Sequence, residues 1–433
     1  MHHSDLHCRE LALTHDREDG TDIDAWNTLL DQAAAKQAAQ HVVIHSTPFH
    51  EDWDECTRPY HDARAQWEEG GGFEKAFRAA VDRVTELPNL NTVHIRFTST
   101  CCGIESESNW WTYGECESRA GRMETLRTVF DALEKRAASP HNSVVRTLSI
   151  ENLQNTPVPE FVHSDSFKKV VSNVEELDLS ICVEYNEHGP DRDLYMEERR
   201  TFEPFLQREM LPTMARNLTS LNIKFDQEWG CLPGQFDGRG LAFPKLDTLV
   251  LENYVIGHHQ QLDWILAQKS LKSLSLRNPR IVSHIRMDEI ELEQWRLPTD
   301  DWQRWPQGAF GFQGDNDVVF TSSATWENVF DSIRTGLPHL VNFHLVDNSP
   351  SRRPEVINEI SPLRYILFSS GILPSPWIEA ENNSRFDFAE YMGEESEGAQ
   401  AKIELAALDS ADRYEMADKR ALYDLLAAIK ERQ

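Results

Sequence analysis

The chain has 433 residues, 40% apolar and 9% aromatic, enough for a continuous core and well away from the composition of disordered proteins. Its 72 acidic against 43 basic residues leave a formal charge of −29, a field that repels a phosphate backbone and excludes nucleic acid as a partner. No apolar run approaches the roughly 18 residues of a membrane-spanning helix, and the 7 unevenly spaced cysteines, with no signal peptide ahead of them, point to a reducing compartment, cytoplasmic or nuclear.

Along the chain a nine-residue phrase recurs, with apolar residues at its first, fourth and sixth positions. Weaker copies come first: Cys8, Leu11 and Leu13; Ala39, Val42 and Ile44; Leu90, Val93 and Ile95. Stronger ones follow: Val145, Leu148 and Ile150; Val174, Leu177 and Leu179; Leu218, Leu221 and Ile223; Leu246, Leu249 and Leu251; Leu271, Leu274 and Leu276; Leu340, Phe343 and Leu345. A last weak copy holds Leu363, Ile366 and Phe368. Each copy reads as one short strand of a leucine-rich unit. Successive fourth positions are 31, 51, 55, 29, 44, 28, 25, 69 and 23 residues apart, so several units have the 20 to 29 residues of regular repeats and the others carry insertions. At the ninth position, where regular repeats place Asn or Cys, stand Cys182 and Asn348, but also Thr98, Leu153, Asp226, Tyr254, Pro279 and Gly371, which makes the repeat degenerate.

Between strands the apolar period shifts from 2 to about 3.6. Phe73, Phe77, Val81 and Val84 predict a helix from Phe73 to Glu86 that Pro88 closes; Met123, Leu126, Val129, Phe130 and Leu133 predict one from Arg122 to Ala138. Leu262, Ile265 and Leu266, then Trp326, Val329, Phe330 and Ile333, mark two more. Strand, helix and parallel strand wound in one sense give the expected fold class: α/β, an irregular right-handed leucine-rich-repeat-like solenoid over 1–378, with parallel strands on the inner face and helices and loops outside.

Three stretches interrupt the rhythm. Insertion 98–120 carries Cys101, Cys102, Trp110 and Trp111; insertion 184–200 is highly charged, with 9 of its 17 residues Asp, Glu or Arg; insertion 280–324 holds Trp295, Trp302 and Trp305. Insertions in a solenoid emerge as loops on one face, where they bind a partner or fold their tryptophans back onto the repeat. The remaining segment, 379–433, is acidic, expected to be mobile between Asn382 and Ala399, and closes with a helical stripe of Ala421, Leu422, Leu425, Leu426 and Ile429 that caps the core.

Catalytic and cofactor signatures are missing. Gly70, Gly71 and Gly72 lack phosphate-loop spacing, His50 and Glu51 lack the second histidine of a zinc helix, and no GxSxG elbow occurs. Cys101, Cys102 and Cys116 have no CxxC partner and read as small buried thiols; His258 with His259, and His2, His3 and His7, lack a second half with ligand spacing. Cys56 with His61 is the nearest approach to a nucleophile and base, without a flanking signature. The sequons at Asn217 and Asn382 matter only in a secreted chain, and Leu218 is a core position. The expectation is therefore no catalytic residue, no cofactor and no metal.

Function is expected on the strand face turned away from the core, because side chains alternate along a strand and equivalent positions stack between units. The candidate partner-binding residues there are Glu176, Asp178, Asn222, Lys224, Val250, Glu252, Ser275, Arg277, Asn342 and His344. Their mixed polarity suits a protein or peptide ligand better than a polyanion.

The Leu-x-Leu strand endings, the Leu-Pro-Asn-Leu90, Phe-Pro-Lys-Leu246 and Leu-Pro-His-Leu340 lead-ins, and the closing helix from Asp418 through Leu422 to Leu426 resemble the repeat region of fungal F-box proteins. That resemblance implies a substrate receptor of a cullin-RING ubiquitin ligase, docked through an amino-terminal F-box on the Skp adaptor. This chain reaches its first strand-like copy at Cys8, leaving no room for an F-box, so the expectation is a non-catalytic recognition module, or a truncated receptor that binds the adaptor only if an F-box lies upstream. A remoter alternative is an enzyme whose site lies in the inserted loops.

Overall fold

The computed structural model describes residues 10–13, 21–46, 72–99, 101, 119–183, 194, 196–312, 316–347, 355–356, 365–370, 375–379 and 394–433. The class is mixed α/β, built on open, mostly parallel sheet. By contacts the chain divides into one unit of residues 1–187 and 209–223 and another of 188–208 and 224–433. The boundary expected at residue 378 falls inside the second.

In the first unit β1 (Glu10–Leu13), β2 (His41–His45), β3 (Thr92–Arg96), β4 (Thr147–Gln154) and β5 (Glu176–Cys182) pair side by side, all parallel. β6 (Ser220–Trp229) begins in this unit and ends in the other. The phrase explains the register. Its fourth positions form one column, Leu11, Val42, Val93, Leu148 and Leu177, and its sixth positions another, Leu13, Ile44, Ile95, Ile150 and Leu179. Every one of these side chains is buried, which rewards that register alone: a slip of one residue would put both columns in water.

A backbone device repeats beneath the columns. The carbonyl at the second position of each phrase accepts two N–H groups from the next: Gln40 from Asn91 and Thr92, Asn91 from Arg146 and Thr147, Arg146 from Glu175 and Glu176, Glu175 from Thr219 and Ser220, at 2.7 to 3.1 Å. These bonds anchor each strand entry to its predecessor.

Helices return the chain between strands: Thr21–Leu30 and Ala33–Ala38, then Gly72–Asp82, then Arg119–Ala137, then Pro159–Val162 and Asp165–Val171. On Arg119–Ala137 the stripe Leu126, Val129, Phe130 and Leu133 is buried, and Phe130 meets Phe161 and Phe167 with ring centroids 5.0 and 5.3 Å apart. The same face buries Arg136, whose guanidinium donates to the carbonyls of Leu87 (2.8 Å), Ser143 (2.6 Å) and Pro88 (3.1 Å); its desolvation there lowers its pKa to about 10.

In the second unit β7 (Thr248–Ile256), β8 (Ser273–Arg277) and β12 (Asn342–Asp347) are parallel neighbours, and the phrase again forms two buried columns, Leu249, Leu274 and Phe343 and Leu251, Leu276 and Leu345. Asp247 and Lys272 again supply the doubly accepting carbonyls. Between β8 and β12 the expected insertion 280–324 is not a loop. It forms β9 (Arg280–Asp288), the helix Glu289–Trp295, β10 (Trp302–Arg304) and β11 (Asp317–Ser322), with Trp295 and Trp302 buried. β9 pairs with the end of β7 and founds a second sheet. β13 (Glu355–Val356) lies antiparallel on β12. The last weak copy does form a strand, β14 (Tyr365–Ser369), yet it departs from the columns: it pairs with β9 and with β15 (Trp377–Glu379), its five residues all buried.

The closing helix runs Glu394–Arg432, starting well upstream of the expected stripe at Ala421 and inside the segment expected to be mobile. Ala421, Leu422, Leu425 and Ile429 are buried as the stripe predicts, and polar ties add to them. The buried Asp418 carboxylate accepts the Tyr365 hydroxyl and the Glu327 N–H, each at 2.7 Å, and Arg432 donates to the carbonyls of Leu337 and Arg334. Of the other insertions, 102–118 and 184–193 lie outside the described residues, with Trp110 and Trp111 among them, while Glu197 to Arg200 open the helix Glu197–Phe205.

The asparagines that turn the chain out of its strands sit at the eighth position of the phrase. Asn152, Asn253 and Asn278 all have left-handed backbone, with φ of 58, 59 and 49°. Asn152 donates to the Phe97 carbonyl at 3.0 Å and Asn253 to that of Phe225 at 2.7 Å, each acceptor being itself an eighth-position residue; Asn278 donates to the Asn253 side chain at 2.6 Å. Asparagine tolerates this conformation and supplies the bond, whereas glycine supplies only the former. Asn253→Ala should therefore cost about 2 to 3 kcal/mol and Asn253→Gly about 1 kcal/mol less, read from urea unfolding; equal costs would remove the left-handed turn from the account.

Candidate functional site

Third, fifth and seventh positions alternate with the buried columns and face outward, so strand pairing sorts them into rows. In the first unit the third-position row is Glu10, His41, Thr92, Thr147 and Glu176, and the fifth is Ala12, Val43, His94, Ser149 and Asp178. The seventh is His45, Arg96 and Glu151. Imidazoles and a guanidinium collect on β2 and β3, with carboxylates on β4 and β5 on one side and Glu10 of β1, 3.0 Å from His41, on the other. At the seam His94 Nε2 lies 3.0 Å and Arg96 Nε 3.3 Å from the Glu151 carboxylate. The contact with His94, with the Arg96 charge, holds Glu151 below the usual carboxylate range despite its desolvation.

Of the residues expected from sequence in this unit, Glu176 and Asp178 are exposed, and Glu176 accepts the Thr147 hydroxyl at 3.1 Å. Asn222 is half-buried, and its Oδ1 lies out of water without a hydrogen bond. His41, His94 and Arg96 were not among the expected set; positions three, five and seven of the weaker copies hold them, while Glu151 stands at position seven of a strong copy.

In the second unit Val250, Ser275 and His344 share the fifth-position row, Asn342 stands in the third beside Ser273, and Glu252 and Arg277 pair in the seventh. Asn342, His344 and Lys224 are exposed and Val250 is half-buried. Two expectations are corrected. Glu252 points outward but is only 8% exposed, because Lys224 and Arg277 lean over its carboxylate from either side at 3.9 and 3.8 Å. Ser275 is likewise 8% exposed, its short side chain sunk between longer neighbours in its row. Neither offers a partner much surface.

A second arrangement lies in the same unit, where the folded 280–324 segment meets the end of β7. Cys231, Gln235, Asp237, His258, His259 and Asp301 are among the residues lining a cavity of about 350 Å³. Asp301 contacts the His258 ring at 2.7 Å and accepts the His259 backbone N–H at 3.0 Å; His258 stacks on Trp302 with ring centroids 4.5 Å apart, and His259 Nε2 is 2.8 Å from the Ser323 hydroxyl. Burial pushes the Asp301 carboxyl up, but these two contacts outweigh it and leave the group below its ordinary value. The ring that Asp301 orients is that of His258, whereas the imidazole beside the Ser323 hydroxyl is that of His259, so the three groups do not form one line of carboxylate, imidazole and hydroxyl. The Cys231 thiol, pushed up by burial, stays protonated and is a poor nucleophile.

No family model and no curated protein matches the chain. Among the described residues no three His, Cys, Asp or Glu side chains converge to hold a metal ion, and no helix is long and apolar enough to cross a membrane. Cys56 and His61, the one nucleophile and base pairing considered from sequence, lie outside the described residues.

Beside the cavity a carboxyl group is fully enclosed. Glu203, 5% exposed, accepts the Gly230 N–H at 2.9 Å, and a Cβ on Gly234 would collide with it. Desolvation raises its pKa from 4.5 to about 8, outweighing that hydrogen bond and the charge of Arg199. The native state thus keeps a proton that the unfolded chain releases near pH 4.5, so the stabilising contribution is full below that pH and is lost as pH rises to about 8. Glu203→Gln should make the chain more stable than the parent by roughly 1 to 3 kcal/mol at pH 8 and indistinguishable near pH 4.5, measured by urea unfolding; a difference that does not grow with pH would contradict this protonation.

Proposed function

We propose that the chain is a non-catalytic recognition module. Each unit's parallel strands wind as an irregular, right-handed leucine-rich-repeat-like solenoid, and the outward strand rows bind a protein or peptide ligand. The observation that supports this best is the opposed placement of charge on one face of the first unit, His94 and Arg96 on β3 against Glu151, Glu176 and Asp178 on β4 and β5, on strands whose register is fixed by two buried columns. A rigid, polar and exposed sheet of mixed sign discriminates among ligands by charge placement and contributes little to stability itself. The cavity at His258 is occupied by groups that satisfy one another, which favours a structural role for them.

The experiment is charge reversal on the exposed carboxylates. Glu176→Lys with Asp178→Lys should leave the unfolding free energy within about 0.5 kcal/mol of the parent and remove ligands from the set recovered by proximity labelling in the native cell. An unchanged ligand set in a folded double variant would take the binding site away from this face. Glu252 is unsuitable for the same test, since reversing it would bury a third positive charge between Lys224 and Arg277.

A further inference from the structure

Two cysteines that the sequence keeps 81 residues apart meet in the first unit. Cys182 ends β5, at the ninth position of its phrase, and Cys101 lies just beyond β3. Their sulfurs are 3.5 Å apart, and both residues are enclosed, at 0% and 1% exposure. The surrounding backbone holds them there. The Cys182 carbonyl accepts the Asn155 N–H at 3.0 Å, the Cys182 thiol lies 2.8 Å from the Ser99 carbonyl, and Arg122 fixes the adjoining turn by donating to the Thr98 carbonyl at 2.8 Å.

We propose that Cys101 and Cys182 are a redox modification site that closes to an intramolecular disulfide. Simple packing of two small thiols needs no sulfur contact. Here the sulfurs already touch, at 3.5 Å. A pair this enclosed reacts slowly, and with a small oxidant, a hydroperoxide such as hydrogen peroxide, rather than a bulky disulfide. One sulfur attacks the peroxide, so that an S–O bond forms as the O–O bond breaks and one water leaves. The second sulfur then displaces the hydroxyl of that sulfenic acid, forming the S–S bond and releasing a second water. Two thiols lose two electrons and two protons, and the peroxide accepts them.

The position gives the bond a consequence. Cys101 stands at the root of the 98–120 insertion and Cys182 immediately ahead of the 184–200 insertion, so the link ties together the roots of two segments that interrupt the repeat. It also closes a long loop, which restricts the unfolded chain and stabilises the unit.

The test uses the purified full chain treated with hydrogen peroxide, unfolded in N-ethylmaleimide and digested without reductant for mass spectrometry. The expected result is a linked peptide pair joining Cys101 to Cys182, with a thermal midpoint raised by roughly 5 to 15 °C, reversed by a strong reductant and absent in Cys101→Ser and in Cys182→Ser. Recovery of both cysteines as maleimide adducts after peroxide treatment would overturn the proposal. So would a link from Cys182 to Cys102 or Cys116.

Discussion

The repeated parallel strands depend on one constraint: from β3 to β6, and again at β8 and β12, the incoming strand is placed twice by its predecessor. The carbonyl at the second position accepts two N–H groups from the incoming strand, and two apolar columns then reward only the register those bonds set. Hydrogen bonds alone would tolerate a slip, since one carbonyl in an extended strand resembles another. Burial alone would tolerate a shift by two. Together they leave one solution, and the length of the connecting segment becomes almost free. That freedom is how spacings from 25 to 69 residues coexist with buried columns in each unit.

The parts of this fold that were legible in the sequence are those governed by that constraint. Leu148, Leu177, Leu249 and Leu274 announce strands because three apolar positions at fixed offsets have few other uses. The helix stripe through Leu126, Val129 and Leu133 was legible for the same reason. The turn asparagines were not, because they stand one residue before the position where regular repeats place them, so that Tyr254 and Pro279 were read where Asn253 and Asn278 do the bonding. The second sheet was also hidden. Its strands β9, β11 and β14 are buried on both faces and lack alternation, so Ile281, Val282 and Ile285 read as an apolar run within an insertion.

The outward face shows how far periodicity reaches. It orders side chains by direction, and it succeeded in placing Asp178 and His344 outside. Exposure is a separate property, decided by what stands beside each side chain across the sheet. Glu252 has a long basic neighbour on either hand and Ser275 is simply short, so both face outward and neither is open to solvent. A sequence read one strand at a time carries no information about such neighbours, because the strands that supply them are 25 to 69 residues away.

The seventh-position row has an implication for how this chain can change over evolutionary time. Its members in the second unit run Lys224, Glu252, Arg277, plus, minus, plus. Excising the unit that carries Glu252 would bring two cations side by side, and duplicating the unit that carries Arg277 would do the same. Neither edit disturbs an apolar column, yet each is penalised at the surface. The row acts as a parity check on copy number, so this stretch of the chain is expected to gain and lose residues in its connecting segments far more readily than it gains or loses whole units.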